Sequence, residues 1–384
     1  MKSREKRPPN LCVGGYAGCG NLGDDAILAG LLEGLWRRGV PPDSVTILSG
    51  RPRRDSRRFG ARCVNRKNPA AVFAALLRAD VFVSGGGTLL QNRTGRRSLF
   101  YYLSVLRLAR FCGCKTVLLG GIGQISGAFS RKLVKKELER CALLLLRDPL
   151  SARLARGLGV KNPRLSVGAD QAFLLPEPPP LRAAFLVSRL VGDPQKPFLC
   201  VCPCGGVSVS GISAFLRRSL FGFFPVYLLC DEKRDRAPAE LLRRSFGGVL
   251  FVPREASEAL ALFRAARLTL SCRLHPLILS VRAGARCVCF SGGDPKLSAF
   301  CLRAGIPLFP AQAGCEIPPP AATLLALARP DPAEFCALAA KDLAILAEMV
   351  YNGREEALSA QRPKSGRTFH EKRATGGSAP PHHH

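Results

Sequence analysis

The apolar positions from residue 11 to about residue 175 follow two alternating rhythms. Residues 11–14, 45–48, 81–84, 117–119 and 143–146 are short continuous apolar runs, which read as strands buried on both faces of a parallel sheet. After the first of them, Ile27, Leu31 and Leu35 recur at i, i+4 and i+8 and Gly39 follows, so residues 26–38 predict a helix. Strand and helix signals that alternate in this way predict βαβ units, hence an open doubly wound domain over residues 11–175. A second series, at residues 198–202, 226–229, 249–252, 268–271 and 287–290, predicts a similar α/β domain ending in a long apolar-periodic helix at 330–351. Between the two series, residues 176–197 contain PEPPP and GDPQKP, a proline density that continues neither a helix nor a central strand and reads as an interdomain connection. Residues 1–10 form a basic extension, and residues 352–384 are polar, basic and rich in Gly and Ser, the composition of a disordered tail.

The length of 384 residues and the 47% hydrophobic content suit two cores of this kind. No apolar run reaches the roughly 18–20 residues of a membrane span, because arginines interrupt each candidate. The start leads into a glycine-rich turn rather than an apolar signal core, so the chain is expected to be cytoplasmic. The 16 cysteines agree with that expectation: they lie scattered through strand-like segments (Cys200, Cys202, Cys204, Cys287, Cys289), as small hydrophobes of a reducing compartment do. No CxxC occurs and His275 is the one histidine before the tail, so no zinc site and no other metal is predicted.

The formal net charge is +29, of which +17 falls between residues 11 and 175 (27 basic, 10 acidic). A nucleic-acid binder is one reading of that excess. Against it, no helix-turn-helix, zinc module or RRM-type aromatic strand is present, basic and acidic residues are interleaved, and aromatics make up only 7%. The densest cluster is Arg51, Arg53, Arg54, Arg57, Arg58, Arg62, Arg66 and Lys67. It reads either as a solvated face or as a surface drawn to anionic lipid at the inner membrane face.

Three glycine-rich corners follow predicted strands: residues 13–28 (VGGYAGCGNLGDDAIL), 79–92 (ADVFVSGGGTLLQN, with Gly85, Gly86 and Gly87) and 116–127 (TVLLGGIGQISG). Bare backbone at the carboxyl ends of several strands of one sheet would face one crevice, where open α/β sheets bind ligands. The spacing is not GxGxxG, and no acidic residue stands where a ribose would be held. Asp24 reads equally as the N-cap of the first helix or as a group of the site.

Taken in order, GNLGDDAIL (20–28), VSGGGTLLQN (83–92), LRDPLSARLARGLGV (146–160), GADQAF (168–173) and CRLHPLILSVRAGA (272–285) resemble the polysaccharide pyruvyl transferase family. The resemblance is closest to the bacterial branch that acts on a secondary cell-wall polysaccharide, which anchors surface layers. It implies two Rossmann-like domains facing a cleft, similar to the GT-B glycosyltransferases, and a reaction in which phosphoenolpyruvate, a co-substrate with no other cofactor, gives a cyclic ketal on a sugar, usually N-acetylmannosamine. The acceptor would be lipid-linked or polymeric. By the same resemblance, Arg273 and His275 belong to the phosphoenolpyruvate site and to catalysis, and Asp294 and Lys296 of CFSGGDPK (289–296) to the donor rim. Asn21, Asp24, Gly85, Gly86, Gly87, Gln91 and Asp170 would form the acceptor side or the cleft.

The chemistry accounts for these residue types independently. Ketal formation from an enol ester needs a proton for the methylene carbon, a clamp for phosphate and carboxylate, and a base for the incoming hydroxyl. Imidazole suits either proton task, and a guanidinium forks onto either anion. Arg273 and His275, two apart after an apolar strand, would point the same way if extended. Arg147 and Asp148 read as a structural ion pair or helix cap.

The chain also departs from the family. Cys202, Pro203 and Cys204 stand where the cell-wall branch usually has Arg-Pro-Trp, Asn92 replaces an acidic residue, and Cys230, Asp231 and Glu232 replace a His-Pro-type turn, with Asp235 the remaining match. Arg93, Arg96 and Arg97 are nearby substitutes for the missing cation. A GT-B glycosyltransferase using a nucleotide sugar, and a homologue that has lost turnover, are the alternative readings.

Overall fold

The continuous apolar runs become the strands of two parallel sheets. The computed structural model describes residues 10–92, 95–193, 195–312 and 319–360, with 352–360 by backbone alone. The extension before residue 10, Arg93, and the tail from residue 361 lie outside the described residues. The first sheet contains β1 (Leu11–Gly14), β2 (Val45–Ser49), β3 (Arg62–Asn65), β4 (Val81–Leu90), β5 (Lys115–Ile122), β6 (Leu143–Leu146) and β7 (Leu165–Val167). The second contains β8 (Phe198–Cys202), β9 (Phe224–Leu228), β10 (Val249–Phe251), β11 (Leu268–Ser271), β12 (Cys287–Ser291) and β13 (Leu308–Pro310).

The strand orders are β3-β2-β1-β4-β5-β6-β7 and β10-β9-β8-β11-β12-β13, and every pairing is parallel. Each sheet therefore reverses its winding once, between β1 and β4 in the first and between β8 and β11 in the second. Those reversals open the crevices where doubly wound folds bind ligands. The two crevices meet: Leu22 donates its N–H to the Cys230 carbonyl at 2.9 Å, and Asn21 pairs as an isolated antiparallel bridge with Asp231. An apolar core crosses the seam, joining Leu22, Ala26, Ile27 and Phe173 to Leu260, Phe263, Leu277 and Ile278.

Local chemistry explains the helix starts. Asn68, Asp148 and Asp294 each cap a helix whose first residue is proline, so one side chain satisfies an orphan N–H and the next residue has none to satisfy. The strand cysteines Cys200, Cys202, Cys287 and Cys289 are all buried.

Four boundaries differ from the sequence reading. The first helix is Leu22–Trp36, one turn earlier than 26–38, because Asn21 and not Asp24 caps it, accepting from Gly23 N–H at 2.9 Å. The Pro-rich connection 176–197 contains a helix, Pro180–Val191, since a proline at the first helical position costs no hydrogen bond. Gly85, Gly86 and Gly87 are not a turn after a strand but lie inside β4, where the register with β5 shifts after Gly86. A Cβ on Gly120 of β5 would overlap the Gly86 carbonyl, so bare backbone is what lets the two strands bulge side by side. The last helix runs Ala333–Ala360, and its buried Leu343, Leu346 and Val350 pack on the first domain with Leu31, Leu32 and Leu35.

Asp342 of that helix is 1% exposed and sits where a Cβ on Gly168 would overlap it. Burial pushes its carboxyl up to about 7, against the Ala169 amide and Lys341, which pull it down. The folded acid thus holds its proton more tightly than the unfolded chain does. Its stabilisation is complete below the ordinary carboxylate range and is lost as pH rises towards 7. Replacing Asp342→Asn is expected to remove that loss, so that the melting temperature falls less between pH 5 and pH 8 than in the wild type. Parallel curves would contradict the assignment.

Candidate functional site

The site grows from the corners where the two crevices meet. After β1, Gly18 N–H donates to Asp25 at 3.3 Å, and Arg58 closes on the same carboxylate at 3.0 Å, which fixes the first glycine corner. Asp24, in the first turn of helix Leu22–Trp36, faces β4 and accepts the Gly87 N–H at 3.4 Å. Burial raises its carboxyl above the ordinary value, against His275 and the Gly87 amide.

Arg147 follows β6 and is buried. It donates to Asp170 at 2.7 Å, to Asp148 at 3.3 Å and to Thr88 Oγ1 at 3.2 Å. Asp170 also caps the 3-10 turn Gln171–Leu174 through the Ala172 N–H. Burial would push the Asp170 carboxyl up, but His275 and the Arg147 guanidinium outweigh it and hold it well below the usual carboxylate range. Removing either member of this buried pair would leave a charge uncompensated, at a cost of ~3–5 kcal/mol.

From the second domain, His275 crosses the seam. A Cβ on Gly23 would overlap its ring, and one on Gly87 would lie 3.6 Å from its Cε1. The imidazole is therefore seated on bare backbone of the first domain. Its Nε2 is buried, makes no hydrogen bond among the described residues, and lies 3.7 Å from Asp170 Oδ2. Lys296 reaches across the same seam to Thr88 Oγ1 at 3.2 Å. Beside them opens a pocket whose wall includes Arg147, Asp170, Lys296 and Arg303 over an apolar floor of Leu274, Ile278 and Phe300.

Arg273 and His275 do not point the same way. The chain turns into helix Leu274–Arg282 directly after Arg273, so the two residues belong to different local structures. Arg273 forks onto buried Asp235, which also accepts the N–H groups of Gly205, Cys230 and Asp231. Its guanidinium thereby ties β11 to the corner that bridges Asn21. Asp294 caps helix Pro295–Ala304 through the Lys296 N–H at 3.0 Å, and Gln91 packs under Gly123. Cys202 is fully buried. Among the described residues, no group of three His, Cys, Asp or Glu is arranged to hold a metal ion.

Asp24, Gly87, Asp170, His275 and Lys296 thus converge, as do two residues the sequence reading did not place there. Arg147 was obscured because its neighbour Asp148 suggested a purely local pair, while its shorter contact is to Asp170. Thr88 carried no signal beyond following three glycines.

The seat of His275 is testable without knowing the reaction. Gly23→Ala is expected to destabilise the fold by ~1–3 kcal/mol through overpacking. In a His275→Ala background the same change should cost almost nothing. An equal cost in both backgrounds, measured by denaturant unfolding, would show that the ring does not occupy that space.

Comparison with known proteins agrees with this architecture. Residues 21–294, more than half of the chain, match the profile of the family described as polysaccharide pyruvyl transferase. No curated protein sequence matches significantly. Similar solved structures include Anabaena Alr3699/HepE in complex with UDP and glucose (12% identity, TM-score 0.54, 91% of this chain and 100% of that one). They also include the Methanocaldococcus jannaschii UDP-GlcNAc 2-epimerase in complex with UDP-GlcNAc and UDP (12%, 0.59, 88% and 99%) and a glycosyltransferase from Rickettsia africae (11%, 0.52, 92% and 97%). At these identities the likeness speaks for the fold, two Rossmann-like domains in a GT-B-like arrangement. By the extent and position of its profile match, the chain belongs to the polysaccharide pyruvyl transferase family.

Proposed function

We propose that this protein transfers the three-carbon unit of phosphoenolpyruvate onto two hydroxyls of one sugar residue of a polysaccharide, as a ketal, with release of phosphate. The observation that carries the reading is the buried His275 Nε2, without a hydrogen bond among the described residues, 3.7 Å from Asp170 and near Asp24, beside a pocket lined by Arg147, Asp170 and Lys296.

The reaction balances with these groups. The methylene carbon gains a proton and becomes methyl. The carbon that carried the phosphate forms two bonds to sugar oxygens and loses its bond to the phosphate oxygen. Of the two hydroxyl protons, one ends on the methyl group and the other on inorganic phosphate. In this reading His275 delivers the proton to carbon, and Asp24, with its affinity for protons raised by burial, collects one from a hydroxyl. Arg147 and Lys296 supply the charge that holds phosphate and carboxylate, and Asp170 fixes Arg147 and faces the imidazole at 3.7 Å. Arg273 acts on this site by holding the second-domain corner through Asp235.

The acceptor we propose is an N-acetylmannosamine residue of a secondary cell-wall polysaccharide, presented in lipid-linked or polymeric form in the cytoplasm. The exposed Arg51, Arg53, Arg57, Arg62 and Lys67 offer a surface for peripheral contact with anionic lipid. Arg54, Arg58 and Arg66 of the same cluster bond to Arg254, Asp25 and Gly15 instead.

Phosphate release from phosphoenolpyruvate with an acceptor containing N-acetylmannosamine should fall at least ~100-fold in His275→Ala. Arg147→Lys keeps a charge against Asp170 but loses the fork, and should raise KM for phosphoenolpyruvate roughly tenfold. Release that survives His275→Ala would overturn the assignment. A nucleotide-sugar transferase on the same fold is separated by its donor: phosphoenolpyruvate at 100 times its Kd should stabilise the protein by about 2.7 kcal/mol, and UDP-sugars should not. The reverse result would favour that transferase, and phosphoenolpyruvate binding without phosphate release would indicate a homologue that has lost turnover.

A further inference from the structure

A group of side chains at the first glycine corner takes no part in the chemistry above. Arg66, just after β3, has no carboxylate partner among the described residues. Its guanidinium donates to the Gly15 carbonyl at 2.7 Å and to the Tyr102 hydroxyl at 3.2 Å. It lies over three aromatic rings, 5.4 Å from the centroid of Tyr16, 4.7 Å from that of Tyr101 and 5.5 Å from that of Tyr102. Tyr101 and Tyr102 pack edge to face, and the Tyr101 hydroxyl donates to the Arg66 carbonyl at 3.0 Å. A cation held by rings and backbone in this way stiffens what it touches. Tyr16 is nonetheless 41% exposed as a residue.

The position of that ring matters. Tyr16 stands on the corner between β1 and helix Leu22–Trp36, within electrostatic reach of Asp24 in its own domain and of Asp231 across the seam. Asp24 in turn lies within reach of His275. A flat apolar face braced from behind, with carboxylates within electrostatic reach, suits one ligand class above others. A pyranose lays its C–H face against the negative face of an aromatic ring and gives its hydroxyl protons to carboxylates.

We propose that the exposed face of Tyr16 is an acceptor subsite that stacks a sugar ring of the saccharide, with Arg66 as the positioning residue that braces it. This rests on the pyruvyl-transfer reading, and assigns the acceptor's approach to the Tyr16 side of Asp24 and the phosphoenolpyruvate to the side of Arg147 and Lys296.

The test uses the full chain and a disaccharide containing N-acetylmannosamine as probe. Binding is read by saturation-transfer NMR, which needs no turnover, beside acceptor KM from phosphate release. Tyr16→Ala should weaken disaccharide binding roughly tenfold and raise acceptor KM in step, whereas Tyr16→Phe should stay close to wild type. The thermal shift given by phosphoenolpyruvate should be unchanged in both. Arg66→Lys, which keeps the charge without the two-directional hold, should fall between them in acceptor KM and leave kcat near wild type. Equal disaccharide binding by wild type and Tyr16→Ala, or no binding by the wild type, overturns the subsite. Phosphate release with unchanged acceptor KM in Tyr16→Ala overturns the subsite alone. Disaccharide binding through Tyr16 without any release supports the subsite and overturns the reaction.

Discussion

The imidazole of His275 crosses from one lobe to the other only because Gly23 carries no side chain. That steric allowance organises the rest. With the ring seated on bare backbone, Asp170 and Asp24 can face it from the first lobe, and Asp170 can hold Arg147 at the same time. Gly23 thus acts less as a hinge than as space left for a group contributed by the other half of the molecule.

The opposing shifts of Asp24 and Asp170 show how one environment makes two kinds of carboxylate. Asp170 is buried and Asp24 partly so. Asp170 has a guanidinium in direct contact and stays ionised, while Asp24 has an amide at long range and an imidazole nearby, so desolvation dominates. Neighbouring acids whose proton affinities are driven apart are what acid–base chemistry at neutral pH requires.

Much of the architecture could be read from the residues in order. The continuous apolar runs at β1, β6, β8 and β11 are too short for helices and too unbroken for half-exposed strands, so a parallel sheet was the available reading. The site was legible in part. His275 and Lys296 stood out by residue type and neighbours, whereas Arg273, equally prominent, proved to be tied to Asp235, 38 residues away. Distance along the chain explains the misses as well: Arg147 meets Thr88 across 59 residues, and Arg66 meets Tyr102 across 36. Within a run of arginines nothing local marks Arg66 as the one enclosed by rings. The three glycines of β4 misled for a different reason, since glycine signals a turn and a close strand approach alike.

The apolar core that runs unbroken across the seam has a kinetic meaning. Leu22, Ala26 and Phe173 interlock with Leu260, Phe263 and Leu277, and the final helix returns to clasp the first lobe through Leu343 and Leu346. Such an arrangement opposes the wide jaw-like opening available to lobes joined by a bare tether. Relative displacement must proceed as a small gliding of packed helices.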